Sequence, residues 1–237
     1  MKISIKKNNK IELPIPQFHS DKPLNKNMPP HFSSINKFSF ITFIGKPRTG
    51  KTSLMTSFFK TNKIYKKVFH HILVVAPESS LKNVKDNIFL KNLPPENFYN
   101  DLDVGTVTDI HERLKEFSKD GEKTCLILDD VAKDLKYVEN ELKGIIYNRR
   151  HLKTNVLLLV QSVKNLSLSL RKVIDIAILF KPSKMEFQTA MDEMFELNKQ
   201  EAFQLLDLYK NEHDYLLLDI TNQKLFLNQD EVILERE

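Results

Sequence analysis

The chain has 237 residues, 41% hydrophobic and 28% charged, an ordinary balance for one sizeable globular domain with little left for a second. A single cysteine, Cys125, excludes an internal disulfide and a cysteine-clustered metal site, and no apolar run approaches the roughly 20 residues that span a bilayer. The start, Met1 to Lys7, turns polar at once and lacks a signal-peptide core, so the expectation is an intracellular, reducing location with Cys125 as a small core residue.

Residues 1–37 carry all of the excess charge. They hold seven lysines against Glu12 and Asp21, which accounts for the net +5 of the whole chain, and five of its ten prolines (Pro14, Pro16, Pro23, Pro29 and Pro30). Proline at that density breaks helix and sheet alike, which predicts an extended basic arm over 1–37 and a main domain over 38–237. Such an arm is either a solvated leader or strap along the core, or a contact for phosphate backbones or a neighbouring subunit.

Phe38 to Ile44 is a short apolar run that predicts a buried strand ending at Gly45. Gly45-Lys46-Pro47-Arg48-Thr49-Gly50-Lys51-Thr52 then satisfies G-x-x-x-x-G-K-[ST], and a helix is expected from Lys51 to about Lys60. Strand, glycine-rich loop and helix in that order wrap backbone amides around phosphates and aim a helix N-terminus at them. The pattern calls for Mg·ATP held by residues 45–52 with Ser53 beside them. Lys51 faces the β- and γ-phosphates, and the Thr52 hydroxyl ligates Mg²⁺.

Ile72–Ala76 predicts a second strand, Ser79 or Ser80 a cap for a helix towards Leu90, and Asn92–Asp103 a loop. Val104–Val107 has the character of a short strand. Thr108 or Asp109 then caps a helix to about Lys119, closed by Asp120-Gly121. Thr124–Leu128 predicts a strand that delivers Asp129 to the metal, with Asp130 either the base that orients attacking water or a cap for the next segment. Adjacent carboxylates repel, so one favours its proton until a metal binds.

A helix is expected over 136–150 and a strand over 155–160. The latter ends at Gln161, which either hydrogen-bonds the γ-phosphate or attacking water, or satisfies a loop. Further strands are expected at 173–180 and, as a strand–turn–strand, over 215–220 and 224–227, after a helical region from Ser183 to about Tyr209. Apolar strands alternating with amphipathic helices predict an α/β fold, with a mainly parallel sheet covered on both faces and a C-terminal strand pair.

In this order the residues resemble the FtsK–HerA superfamily of viral DNA-packaging ATPases, the poxvirus-type group with relatives in large DNA viruses, virophages and polinton-like elements. The resemblance covers roughly 38–182. It rests on the P-loop, Leu128-Asp129-Asp130-Val131, Asn148-Arg149-Arg150-His151, Asn155-Val156, Gln161-Ser162 and Leu170-Arg171. It implies a P-loop NTPase fold of the ASCE type and a homo-oligomeric ring, hexamer or pentamer, that pulls double-stranded DNA into a preformed capsid. The implied partners are a capsid or portal vertex, with no membrane span. The implied location is the host cytoplasm at sites of assembly, or the virion. In such rings a neighbour's arginine completes the site, so Arg150 or Arg149, then Arg171, are candidates, each also readable as a helix-end charge or a DNA phosphate contact. Arg48 departs from the family pattern, which usually carries a small residue there, and is a candidate finger in cis.

Three other readings stay open on the residues. A cellular translocase or helicase shares the chemistry, an ATP-switched DNA-binding assembly protein would scarcely hydrolyse, and a small-molecule kinase would need a lid arginine cluster that is not evident.

Overall fold

The structure is a computed structural model describing residues 23–29, 35–77, 89 and 93–234. The helix expected after Ser79 and the lysines of the arm up to Lys22 lie outside the described residues. Nine strands form one sheet: β1 (Phe40–Ile44), β2 (His71–Val75), β3 (Phe98–Tyr99), β4 (Thr124–Asp129), β5 (Thr154–Val160), β6 (Ile176–Phe180), β7 (Tyr215–Asp219), β8 (Lys224–Leu227) and β9 (Asp230–Val232). Their order is β3-β2-β4-β5-β1-β6-β7-β8-β9. The first six are mutually parallel, and β7 to β9 continue antiparallel.

The helices are α1 (Lys51–Lys60), α2 (Val104–Lys119), α3 (Leu135–Asn148), α4 (Leu168–Arg171), α5 (Lys184–Phe195) and α6 (Lys199–Leu206). Every residue of β1, β4, β5 and β6 is buried, because both faces of the sheet are covered. The side-chain alternation of β4 shows how. Leu126 and Leu128 face a core built with α2, α3, α5 and α6, while Cys125 and Ile127 face a second core containing Met55, Phe58 and Phe59 of α1. Burial holds the Cys125 thiol well above its usual range, so it is a small core residue.

The second core includes part of the predicted arm: Leu24, Met28 and Ile35 are buried in it. Asn25 and Asn36 brace that segment reciprocally. The Asn25 amide donates to Asn36 Oδ1 at 2.6 Å, and Asn36 Nδ2 donates to the Asn25 carbonyl at 2.8 Å.

Five local expectations change, the first being that the loop expected over Asn92–Asp103 carries the short β3, which pairs with β2 at the sheet edge. Val104–Val107 is the first turn of α2 and not a strand, because Asp103 caps the helix one turn earlier than Thr108, accepting from the Thr106 amide at 2.7 Å. Val107, Ile110 and Leu114 are its buried stripe, a helical spacing that the β-branched residues mask. The strand expected from Val173 begins only at Ile176, since Ser167 caps the short α4. The helical region 183–209 is two helices, parted where Glu196 takes φ 53° and Asn198 starts a capping box with Glu201. Finally, β9 adds a third antiparallel strand to the expected pair. Among the described residues, no helix is long and apolar enough to cross a membrane.

Candidate nucleotide site

The site lies at the carboxyl edge of the parallel strands, where ligands bind in such sheets. At β1 the Gly45 amide donates to the Val160 carbonyl at 3.1 Å, carrying the ladder one residue past the strand before the loop departs. Gly50, at φ 104°, turns the loop into α1, a conformation that glycine adopts without strain. Lys51 lies over its own loop, its Nζ donating to the carbonyls of Gly45 at 2.6 Å and Lys46 at 2.9 Å.

Sheet order explains the remaining groups. Next to β1 is β5, which ends at Gln161, and next to β5 is β4, which ends at Asp129. Thr52 at the start of α1 reaches Asp129, donating to Oδ2 at 3.0 Å. Asp130 comes next at φ 57°, a left-handed residue that ends the strand abruptly. A cavity of ≈ 410 Å³ opens here, lined among others by Arg48, Lys51, Thr52, Asp129, Asp130 and Gln161. That volume suits a small-molecule ligand.

The cavity sets the cations Arg48 and Lys51 against the carboxylates Asp129 and Asp130. Burial pushes the Asp129 carboxyl up, opposed by the Thr52 hydrogen bond and the Lys51 charge, while neighbouring Asp130 pushes it further up. Burial likewise lowers Lys51, against the pull of Asp129 and Asp130. Both groups are thus held towards their neutral forms, the state that a divalent cation and a polyphosphate would reverse. A hydroxyl and a carboxylate 3.0 Å apart form a hard oxygen pair suited to Mg²⁺. Among the described residues there is no cluster of three or more His, Cys, Asp or Glu that could hold a metal.

The structure therefore brings together Lys51, Thr52, Asp129, Asp130, Gln161 and Arg48. Lys46 contributes its carbonyl, Thr49 closes the loop through Oγ1 onto the Lys46 carbonyl at 2.9 Å, and Pro47 lines the cavity. Ser53 is exposed on α1. The other three candidate arginines lie elsewhere. Arg149 and Arg150 precede the seven-residue β5 and Arg171 precedes the five-residue β6, at the amino edge, roughly 23 Å and roughly 17 Å away along those strands. Arg149 grips both oxygens of Asp175 at 2.8 and 2.7 Å, and Asp175 also accepts the Phe40 amide at 2.7 Å. Arg171 grips Glu193 of α5 at 2.7 and 2.6 Å. Arg150 is exposed.

One contact escaped the sequence. His213 Nδ1 lies 3.2 Å from the Thr49 carbonyl. Its loop is pinned by Asp214, which accepts from the amides of Lys210 at 2.9 Å and Asn211 at 2.8 Å. Because β7 runs antiparallel to β6, the residues before Tyr215 emerge at the P-loop edge. No local pattern signals this, since 164 residues separate the partners.

A family model described as Poxvirus A32 protein matches residues 31–235. Among solved structures, the chain is similar to the genome packaging NTPase B204 from Sulfolobus turreted icosahedral virus 2. In complex with AMPPCP, B204 has a TM-score of 0.59 at 17% identity, covering 83% of this chain and 98% of that one. In complex with AMP it has a TM-score of 0.58 at 16% identity, with the same coverage. The structure of B204 described as the DNA-packaging ATPase from Sulfolobus Turreted Icosahedral Virus has a TM-score of 0.56 at 17% identity, again covering 83% and 98%. At these identities the likeness establishes the P-loop NTPase fold. No curated protein sequence matches the chain.

Proposed function

The chain belongs to the poxvirus A32 protein family, and from that premise we propose that it is an ATP-hydrolysing motor that translocates double-stranded viral DNA into a preformed capsid. The observation that carries the reading is the convergence of Lys51, Thr52 and Asp129 on one cavity, with Asp130 and Gln161 at its strand-end rim. A likeness in fold to B204, described as a DNA-packaging ATPase, supports the same task.

In this reading the loop amides of residues 45–52 cradle the phosphates, and Lys51 exchanges its carbonyl partners for the β- and γ-phosphates. Thr52 and Asp129 would hold Mg²⁺, and the ion would supply neutralisation of the charge that develops on the phosphoryl oxygens. Asp130 orients the attacking water and accepts its proton, while Gln161 hydrogen-bonds that water or the γ-phosphate. Arg48 stands at the same cavity and is assigned as the charge-stabilising arginine in cis. Arg150, exposed at the amino edge, is left as the candidate offered to a neighbouring subunit of a ring. Arg149 and Arg171, each gripping a carboxylate, are assigned to holding the fold. The partners in this reading are duplex DNA, further copies of the chain and a capsid or portal vertex at assembly sites in the host cytoplasm.

Steady-state ATP turnover with and without duplex DNA tests this directly. DNA-stimulated turnover that Lys51→Ala and Asp130→Asn each abolish is the expected result. ATP binding with negligible turnover in the native protein would favour an ATP-switched assembly protein. Strand separation without any dependence on capsid or portal would favour a helicase.

A further inference from the structure

Between Pro23 and Pro77 the chain has nine lysine and arginine residues and no aspartate or glutamate, while its other positions hold 27 basic against 31 acidic residues. Three of the nine, Lys46, Arg48 and Lys51, belong to the nucleotide loop. Four of the others, Lys60, Lys63, Lys66 and Lys67, fall within eight consecutive residues at the far end of α1, and all four are exposed. The fold adds a fifth. Asn25 Nδ2 donates to the carbonyls of Asn62 at 3.0 Å and Ile64 at 2.8 Å, which sets exposed Lys26 beside this turn.

The turn is rigid. Ile64 and Tyr65 point inward as anchors, and the Tyr65 amide donates to the Phe58 carbonyl at 2.9 Å. The Tyr65 hydroxyl donates to the Ile35 carbonyl at 2.7 Å and accepts from Asn155 Nδ2 at 2.9 Å. The two anchors sit between Lys63 and Lys66, and none of the five lysines takes part in an ion pair among the described residues. Like charges held within about one Debye length, roughly 8 Å at physiological salt, repel and raise the local potential. A fixed platform of that kind favours a polyanion that brings its own spacing of charge.

Resting on the functional reading above, we propose that this turn, together with Lys26, is the surface that takes the phosphate backbone of duplex DNA. Duplex DNA presents one charge per roughly 1.7 Å of axis, so several phosphates fall within reach of five clustered lysines. Lysine ammonium groups act as point charges and carry no base-edge code, so the contact is independent of sequence. The patch lies at the amino edge, separated from the nucleotide cavity by the length of α1, about 15 Å for ten residues. DNA and nucleotide therefore occupy the protein together, at opposite ends of one helix.

The test is binding of the full chain, with a non-hydrolysable ATP analogue, to labelled duplexes of unrelated sequence between about 50 and 200 mM salt. The combined variant Lys60→Gln, Lys63→Gln, Lys66→Gln and Lys67→Gln should flatten the slope of log K against log salt by about 3 to 4, near 0.9 per lost contact. Lys66→Gln alone should flatten it by about 0.9. Basal ATP turnover without DNA, and the melting temperature, should be unchanged. The matched variant Lys115→Gln, Lys119→Gln, Lys172→Gln and Lys199→Gln should keep the native slope. Native protein that binds no duplex would defeat the functional reading itself. DNA binding with the native slope in both the combined and single turn variants would overturn the placement alone. Lost binding to anionic vesicles or RNA with duplex binding intact would overturn it equally, by giving the patch to another polyanion.

Discussion

Gly45 has no room for a side chain: an added Cβ would lie 2.7 Å from the Phe180 Cβ and 2.9 Å from Thr49 Oγ1. Phe180 is buried at the end of β6 and cannot retreat, so Gly45→Ala should displace the loop, and isothermal titration with Mg·ATP should show at least about tenfold weaker binding, a loss of about 1.4 kcal/mol. Arg48 poses the opposite problem. It occupies φ 67°, where a non-glycine residue is held at a cost of order 1 kcal/mol, and it does so at the mouth of the cavity. If it is the finger, Arg48→Ala lowers kcat by about 10³-fold or more in a ring whose other arginines are intact, as read by steady-state turnover. Unchanged turnover would return the role to Arg150 of a neighbour. Strain of this kind is legible only in backbone angles. The loop motif itself needs no structure, because its glycines and lysine are neighbours in the chain.

Among the elements, the segment before β7 brings His213 against the P-loop. Its Asp214 carboxyl is held down to about 2 by backbone amides of Asn211 and Lys210 and the side chain of Asn228, against an ordinary value of 3.8. A depressed acid stabilises the folded state above its unfolded pKa, and that stabilisation is lost as pH falls through the folded one. The native protein should therefore melt above Asp214→Asn at pH 7, with the gap closing between about pH 4 and pH 2 in a thermal series. The same variant frees His213 from the P-loop, so its KM for ATP should rise as well. At the opposite edge, Arg149 and Asp175 are only 12% and 16% exposed and join the end of α3 to the starts of β1 and β6. Arg149→Met leaves a half-buried carboxylate unpaired and should cost about 3 kcal/mol in denaturant unfolding, with turnover per folded molecule retained. Sequence spacing alone makes Arg149 and Arg150 equivalent. A bidentate partner 26 residues away separates them.

At the scale of the molecule, the sheet order determines what can cooperate. β1, β5 and β4 lie side by side, so the P-loop, Gln161 and Asp129 meet although they are spread over more than a hundred residues. α1 then joins the nucleotide at one edge to the lysine turn at the other. Solution mass with a Mg·ATP analogue and duplex DNA should show assembly of several copies, and a strictly monomeric particle under those conditions would remove the ring from the proposal. By itself the sequence determined the alternation of buried strands and helices, the phosphate loop and the acidic strand end, because each rests on short-range periodicity or on adjacent residues. The tertiary structure alone decided that Leu24, Met28 and Ile35 pack under the sheet, that His213 touches the P-loop and that Arg149 and Arg171 are tied within the chain. It also decided that Lys26 joins Lys60–Lys67 in one patch. These depend on strand pairing and on side chains meeting across long stretches of chain, where local pattern carries no information.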